Sequence, residues 1–298
     1  MKNSNIYIIV IVFIILISFF IYSNISKASD SDLSIQNKAL SEVQYFESKI
    51  IYMFNSLNNI EFDNYKISSQ DITEKAKKSA ESSSSAGSGE GDASGEKSSS
   101  SNDSANKSPN ERVKKYSLES KGVLTNNEQI NWDNIKKEAE ILQSSIATMI
   151  LDLYEIGVNS NEILSFNKEY DKLLVEIKNE NIESTLYELS LLYQYIPKFI
   201  SECNTDEQYR IVINTKVNIL NAYSILDSEE WTKIYNYIKI ANEEFSRLLT
   251  DINLKSKNQY TTNKCYILIN GLLDSIETKD KEIFLIKYRN LMEELNNM

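Results

Sequence analysis

Residues 132–156, WDNIKKEAEILQSSIATMILDLYEI, decide the fold class. Trp132, Ile135, Ala139, Leu142, Ile146, Met149, Leu153 and Ile156 recur at alternating steps of three and four, one apolar, coiled-coil-like seam along a single helix. The same spacing returns downstream. Ile163, Phe166, Tyr170, Leu173 and Ile177 form a second seam, and Ile182, Leu186, Leu189, Tyr193, Ile196 and Ile200 a third. Trp231 to Ile252 carries another, and Phe284, Tyr288, Leu291 and Leu295 the last. Less regular segments about Asp206–Leu226 and Tyr260–Ile276 complete the set. Stripes of this kind bury one face of each helix against its neighbours at shallow crossing angles. Pro197 falls inside the third pattern, where its missing N–H should kink or end the regular bonding. Ser160 with Glu162, and Ser228-Glu229-Glu230 before Trp231, read as helix starts.

Upstream, Leu33 to Ile60 is also amphipathic, with Leu40, Val43, Ile50, Phe54 and Leu57 on one stripe. A single helix cannot make a core alone, so its expected partner is the bundle further along the chain. Between them the chain changes character. From Thr73 to Arg112 there is no Val, Ile, Leu, Met, Phe, Tyr or Trp, and Ser79 to Ser108 holds thirteen serines and four of the seven glycines. Such a stretch cannot bury enough apolar surface to offset ordering entropy. It reads as a disordered insertion in a long loop, about 35 Å end to end as a flexible coil. At the front, Ile6 to Tyr22 is apolar except for Ser18. These seventeen residues reach the lower limit of a membrane span, ~17–25 residues. A cleaved signal with Ser26-Lys27-Ala28 at its end is the competing reading, although the run exceeds the usual apolar region of a signal peptide. The expected organisation is therefore a membrane anchor over 1–28, an amphipathic helix over 31–72 packing on the bundle, a Ser/Gly-rich linker over 73–115 and the helical bundle over 116–298. In all, the fold class expected is all-α, an antiparallel bundle of about eight helices, in one or two fused bundles, after an N-terminal transmembrane helix.

Composition narrows the chemistry. The chain of 298 residues has no histidine, which removes Ser-His-Asp and Cys-His catalysis and every His-ligated metal site. Two cysteines cannot supply a four-thiolate centre. Seven glycines and two prolines argue against an architecture of strands and tight turns. The net charge of −11 is a poor footprint for nucleic acid or an anionic lipid surface.

Individual motifs add little chemistry. Ser165-Phe-Asn-Lys168 has the Ser-x-x-Lys spacing of penicillin-binding enzymes, without the other elements of that site. The pairs Glu229-Glu230, Glu243-Glu244 and Glu293-Glu294 point about 100° apart on a helix and do not converge. Cys203 and Cys265 lie near helix ends, so either a disulfide or two isolated thiols is possible. Asp227-Ser228 and Asp274-Ser275 close two similar segments forty-seven residues apart, which reads as coincidence between amphipathic helices rather than a solenoid repeat. Of eighteen tyrosines, Tyr187, Tyr195, Tyr235 and Tyr237 are set apart as a candidate groove for a partner or ligand. No catalytic residue, cofactor or metal site is expected.

Trp132-Asp-Asn-Ile, Leu151-Asp-Leu-Tyr, Leu164-Ser-Phe-Asn, Leu192-Tyr-Gln-Tyr-Ile-Pro197 and Lys281-Glu-Ile-Phe-Leu-Ile-Lys-Tyr288 resemble membrane-anchored or lipoprotein-like all-helical proteins of clostridia. That resemblance implies an envelope location and a helical fold, and it brings no activity. No cysteine follows the apolar run, so the anchor departs from the lipoprotein type. The expected function is a single-pass membrane protein, most of it extracytoplasmic, whose bundle binds a protein partner at the cell envelope without catalysis and without nucleic acid. The alternative is a binding module for a cell-wall glycan or small solute.

Overall fold

Asparagine and aspartate start most of the helices. Asn131, Asn159, Asn181, Asp206 and Asp280 each accept a hydrogen bond from a backbone N–H in the first turn that follows, satisfying donors that a helix end leaves without partners. In the computed structural model the described residues are 33–62, 65–67, 116–118, 122–126, 128–203, 205–251 and 259–298. They form α1 (33–56), α2 (Trp132–Glu155), α3 (Ser160–Lys178), α4 (Ile182–Tyr193), α5 (Tyr195–Ser201), α6 (Glu207–Ser224), α7 (Trp231–Thr250), α8 (Gln259–Ser275) and α9 (Lys281–Asn296). With α4 and α5 read as one helix broken at Gln194, the eight helices of an all-α bundle are present. The break has the expected cause. Pro197 offers no N–H to the Tyr193 carbonyl, and its ring crowds that oxygen, so the chain steps out of register one residue later.

The chain divides into two units, one taking residues up to Phe62 and from Val123 onward, the other residues 63–122. In the second unit, Tyr65–Ile67 pairs antiparallel with Tyr116–Leu118, Tyr65 opposite Leu118 and Ile67 opposite Tyr116. Helix α1 thus ends well before residue 72, the end of the segment assigned to it. The 73–115 tract lies outside the described residues, as does the apolar run 6–22 expected to form the transmembrane helix. Among the described residues no helix is long and apolar enough to cross a membrane. In the first unit the two ends of the excursion are joined. Asn126 Nδ2 donates to the Asn59 carbonyl at 2.8 Å, and Asn59 Nδ2 donates to the Glu128 carbonyl at 2.6 Å.

Within that unit α1 is the central helix. Val43, Phe46, Ile50, Met53, Phe54 and Leu57 are at most 1% exposed. The Phe46 ring meets Phe166 of α3 edge-on at 5.2 Å, and Phe54 lies 5.6 Å from Tyr223 of α6. Lys49 bonds Glu138 of α2 at 2.7 Å, while Tyr288 of α9 donates to Asn55 at 3.0 Å. The helix set apart in sequence by the serine tract touches α2, α3, α4, α6 and α9. Each of its buried apolar side chains contributes roughly 1.5–3 kcal/mol.

Short connections close the remaining helices into hairpins: α2 packs on α3, α3 on α4, α6 on α7 and α8 on α9. A left-handed residue sits in most of the turns. Asn59, Gly157, Glu180, Glu229 and Lys279 all have positive φ. At Gly157 and Glu180 the following N–H reaches back to Leu153 and Glu176, respectively, a Schellman closure. The α6–α7 and α8–α9 connections are alike. Each is a 3-10 turn, Leu226–Ser228 or Ile276–Thr278, followed by one left-handed residue. The equivalent positions are fifty residues apart, not forty-seven; Asp274 and Ser275 belong to α8 itself. Asp227-Ser228 likewise lies in its 3-10 turn, and α7 begins without a side-chain cap.

Candidate functional site

A cleft of about 600 Å³ opens between α1 and α6. One stripe of α1 lines it with Glu47, Ser48, Ile51, Tyr52 and Asn55, and α6 contributes Tyr209, Val212 and Lys216. Ile60 and Phe62, just beyond α1, and Leu295 and Met298 at the chain's end complete the wall. A second hollow of about 310 Å³ shares Gln44, Tyr209, Val212 and Met298 with it. The size suits a small organic ligand, for which pockets run ~300–1,000 Å³.

At the floor lies a buried ion pair. Lys216 Nζ is 2.9 Å from Glu47 Oε1, with 6% and 8% of the two side chains exposed. The same oxygen accepts the Tyr193 hydroxyl at 2.8 Å, and Oε2 accepts the Tyr209 hydroxyl at 3.4 Å. Beside it, Asn55, 4% exposed, accepts the Tyr288 hydroxyl. Both charges occupy core positions of their helices. Glu47 follows Val43 by four residues, and Lys216 follows Val212 by four and precedes Ile219 by three. Where a methyl-bearing residue would close the seam, this chain places an ammonium and a carboxylate. Burial pushes the Tyr193 and Tyr209 phenols well above their ordinary range, and the Glu47 carboxylate pushes them further. They stay protonated donors.

A second polar cluster ties α1 to α2. Asp152, 5% exposed, accepts from Lys38 Nζ at 2.9 Å. Burial, followed by a hydrogen bond to Asp152, pushes the Glu42 carboxyl up to about 7.

The four tyrosines singled out in the sequence are divided between α4–α5 and α7. Tyr187 and Tyr235 are 50% and 44% exposed. Tyr195 is half-buried against Phe166 and Phe199, with the Lys198 ammonium over its ring, and Tyr237 is half-buried on α7. Among the described residues no ring contact joins any two of the four. The tyrosines that organise the molecule are others. Tyr170, Tyr193, Tyr223 and Tyr288 are at most 1% exposed, and each hydroxyl donates across a helix interface: to Ala139 O, Glu47, Phe54 O and Asn55. The Tyr223 and Tyr288 rings lie 4.6 Å apart, tilted by 43°.

Cys203 and Cys265 are buried and unpaired, and burial pushes their thiols up to about 11 and about 12. Ser165 and Lys168 lie exposed on α3. Comparison with family models, with curated proteins and with solved structures finds no match for this chain.

Proposed function

We propose that the helical unit is a binding module for a small solute with an apolar body, held in the cleft between α1 and α6. The observation that carries this reading is the floor of that cleft, where a buried Glu47–Lys216 pair lies among Ile51, Val212 and Leu295. Buried ions are expensive, and a hydrophobic pair in their place is often neutral or stabilising. A site that keeps them has polar groups ready for a ligand inside an apolar wall. Aliphatic side chains and Met298 outnumber the rings of Tyr52, Phe62 and Tyr209 in the wall, and among the described residues no ring contact joins those three, which favours the small-solute form of the reading over a cell-wall glycan. No catalytic step belongs to it.

The competing reading is a protein partner docked on exposed tyrosines. A fluorescent amphiphile separates the two. Saturable binding of one dye per chain is expected, weakened at least tenfold by Ser48→Trp, which adds bulk at an exposed position of the cleft wall and leaves the core untouched. Dye binding unaffected by Ser48→Trp but lost with Tyr187→Ala and Tyr235→Ala would contradict the cleft.

In the same reading the Ile6–Tyr22 run holds the chain in a membrane with the bundle outside. Carbonate extraction is expected to leave the chain with the membranes. Its release into the supernatant would show instead that the run is removed as a signal.

A further inference from the structure

We infer that the cleft selects its ligand by a neutral oxygen acceptor on an otherwise apolar single chain, an acyl amide or ester. This rests on the cleft being a ligand site and adds which end of the ligand lies where. Among the nearly buried groups of the floor, Glu47, Lys216 and Asn55, most of the hydrogen-bonding left unused is N–H donors. Glu47 already accepts from Tyr193 and Lys216 on Oε1 and, at 3.4 Å, from Tyr209 on Oε2, so most of its acceptor capacity is taken up by the protein. Lys216, 5% exposed, spends one of its three ammonium donors on Glu47. Asn55 gives its carboxamide oxygen to Tyr288, and its Nδ2 has no partner among the described residues although the side chain is 4% exposed. Two nearly buried side chains lining one cleft therefore bring spare N–H donors to it.

A ligand that presented more donors would leave those N–H groups unpaired in an apolar wall, which is the costly arrangement. An oxygen acceptor satisfies them. Charge then separates acyl amides from fatty acids. Glu47 already neutralises Lys216, so a ligand carboxylate would bring an uncompensated negative charge to the floor, whereas a carbonyl brings none. The rest of the ligand meets Ile51, Ile60, Phe62, Leu295 and Met298.

The test is a titration of the full chain in nanodiscs, with empty nanodiscs as the blank, using octanamide, octanoate and octylamine. Octanamide is expected to bind at least about tenfold tighter than octylamine, the scale of one hydrogen bond to a charged group, and tighter than octanoate. Asn55→Asp keeps the oxygen that Tyr288 needs and turns the spare donor into an acceptor, so it is expected to reverse the amide-over-amine order. A purely structural role for Asn55 would move both affinities together. Should Asn55→Asp fail to fold, the neutral pair Glu47→Gln with Lys216→Met is expected to bring octanamide down to the level of octylamine. Repeating the titration with stearamide incorporated in the nanodisc distinguishes a lipid-borne ligand from a dissolved one, and binding in either form supports the assignment. Octylamine or octanoate binding as tightly as octanamide, with Ser48→Trp still excluding all three, would overturn the head-group assignment and leave the cleft standing. No binding of any probe, or binding indifferent to Ser48→Trp, would overturn the cleft itself.

Discussion

Replacing Lys216 by methionine removes the ammonium and keeps most of the alkyl stem. The Glu47 carboxylate is then left 8% exposed, with two hydroxyls for company, Tyr193 at 2.8 Å and Tyr209 at 3.4 Å. Breaking a buried ion pair from one side costs about 3–5 kcal/mol. The hydroxyls offset part of that, so the lower end, about 3 kcal/mol, is expected for Lys216→Met. Adding Glu47→Gln removes the orphaned charge and keeps an oxygen for Tyr193, so the double variant should regain about 2 kcal/mol or more of the loss. With a urea slope of about 3 kcal/mol/M, the single variant moves the midpoint down by about 1 M. Far-UV circular dichroism in urea, on chain lacking residues 1–28, reads both values. A single variant within about 0.5 kcal/mol of wild type, or a double variant no better than the single, would refute the reasoning that a desolvated ion pair closes the α1–α6 seam.

Other consequences are as specific. The raised Glu42 carboxyl binds its proton more tightly in the folded chain than in the unfolded one, whose pKa is the ordinary 4.5. Its contribution is therefore complete below that value and is lost as pH rises through about 7; urea midpoints should fall between pH 4.5 and 8, with a shallower fall in Glu42→Gln. The strands Tyr65–Ile67 and Tyr116–Leu118 bracket 48 residues (68–115). Replacing these with a four-residue Gly/Ser turn should leave the helical spectrum intact and raise stability by no more than about 2 kcal/mol from loop closure; loss of cooperative unfolding would show that the tract is structural. Glu180 is left-handed at φ 55°, a conformation costing a non-glycine residue roughly 1 kcal/mol. Glu180→Gly should therefore raise the thermal midpoint, despite the entropy that glycine adds to the unfolded chain, and a drop of several degrees would contradict the turn geometry.

What the sequence revealed and what it hid follow from distance along the chain. The 3-4 seams of α2, α3 and α7 are local patterns, and their buried positions coincide with the seam residues almost one for one, whereas α4 also buries Thr185, Ser190 and Leu192. Helix α6 looked irregular because a charge stands in one seam and because it is buried on more than one face: Tyr209, Val212, Lys216, Ile219 and Tyr223 keep the alternation once the lysine is counted, and Ile211, Thr215, Leu220 and Ala222 are buried besides. In α1, Leu40 belongs to the apolar stripe yet is only partly buried, while Glu47 and Asn55 are almost fully buried. Polar residues at seam phase were the legible sign of the cleft. Its assembly was not legible, because Glu47 and Lys216 are 169 residues apart and Asn55 and Tyr288 233 apart. The tyrosines show the same limit. Position on a stripe marks Tyr170, Tyr193 and Tyr288 as buried, but the hydroxyl partners that make them braces lie on other helices. The helix start read at Ser160 is where α3 begins, and the side chain that caps it is that of the neighbouring Asn159.

The most direct test is photo-crosslinking of the full chain with an acyl amide carrying a diazirine at the end of its chain, followed by peptide mapping. An amide head at the Lys216–Asn55 floor places the label on Ile51, Ile60, Leu295 or Met298, competed away by excess octanamide. Saturable labelling confined to Tyr187 on α4 or Tyr235 on α7 would contradict the account and return the function to the tyrosine-bearing surface.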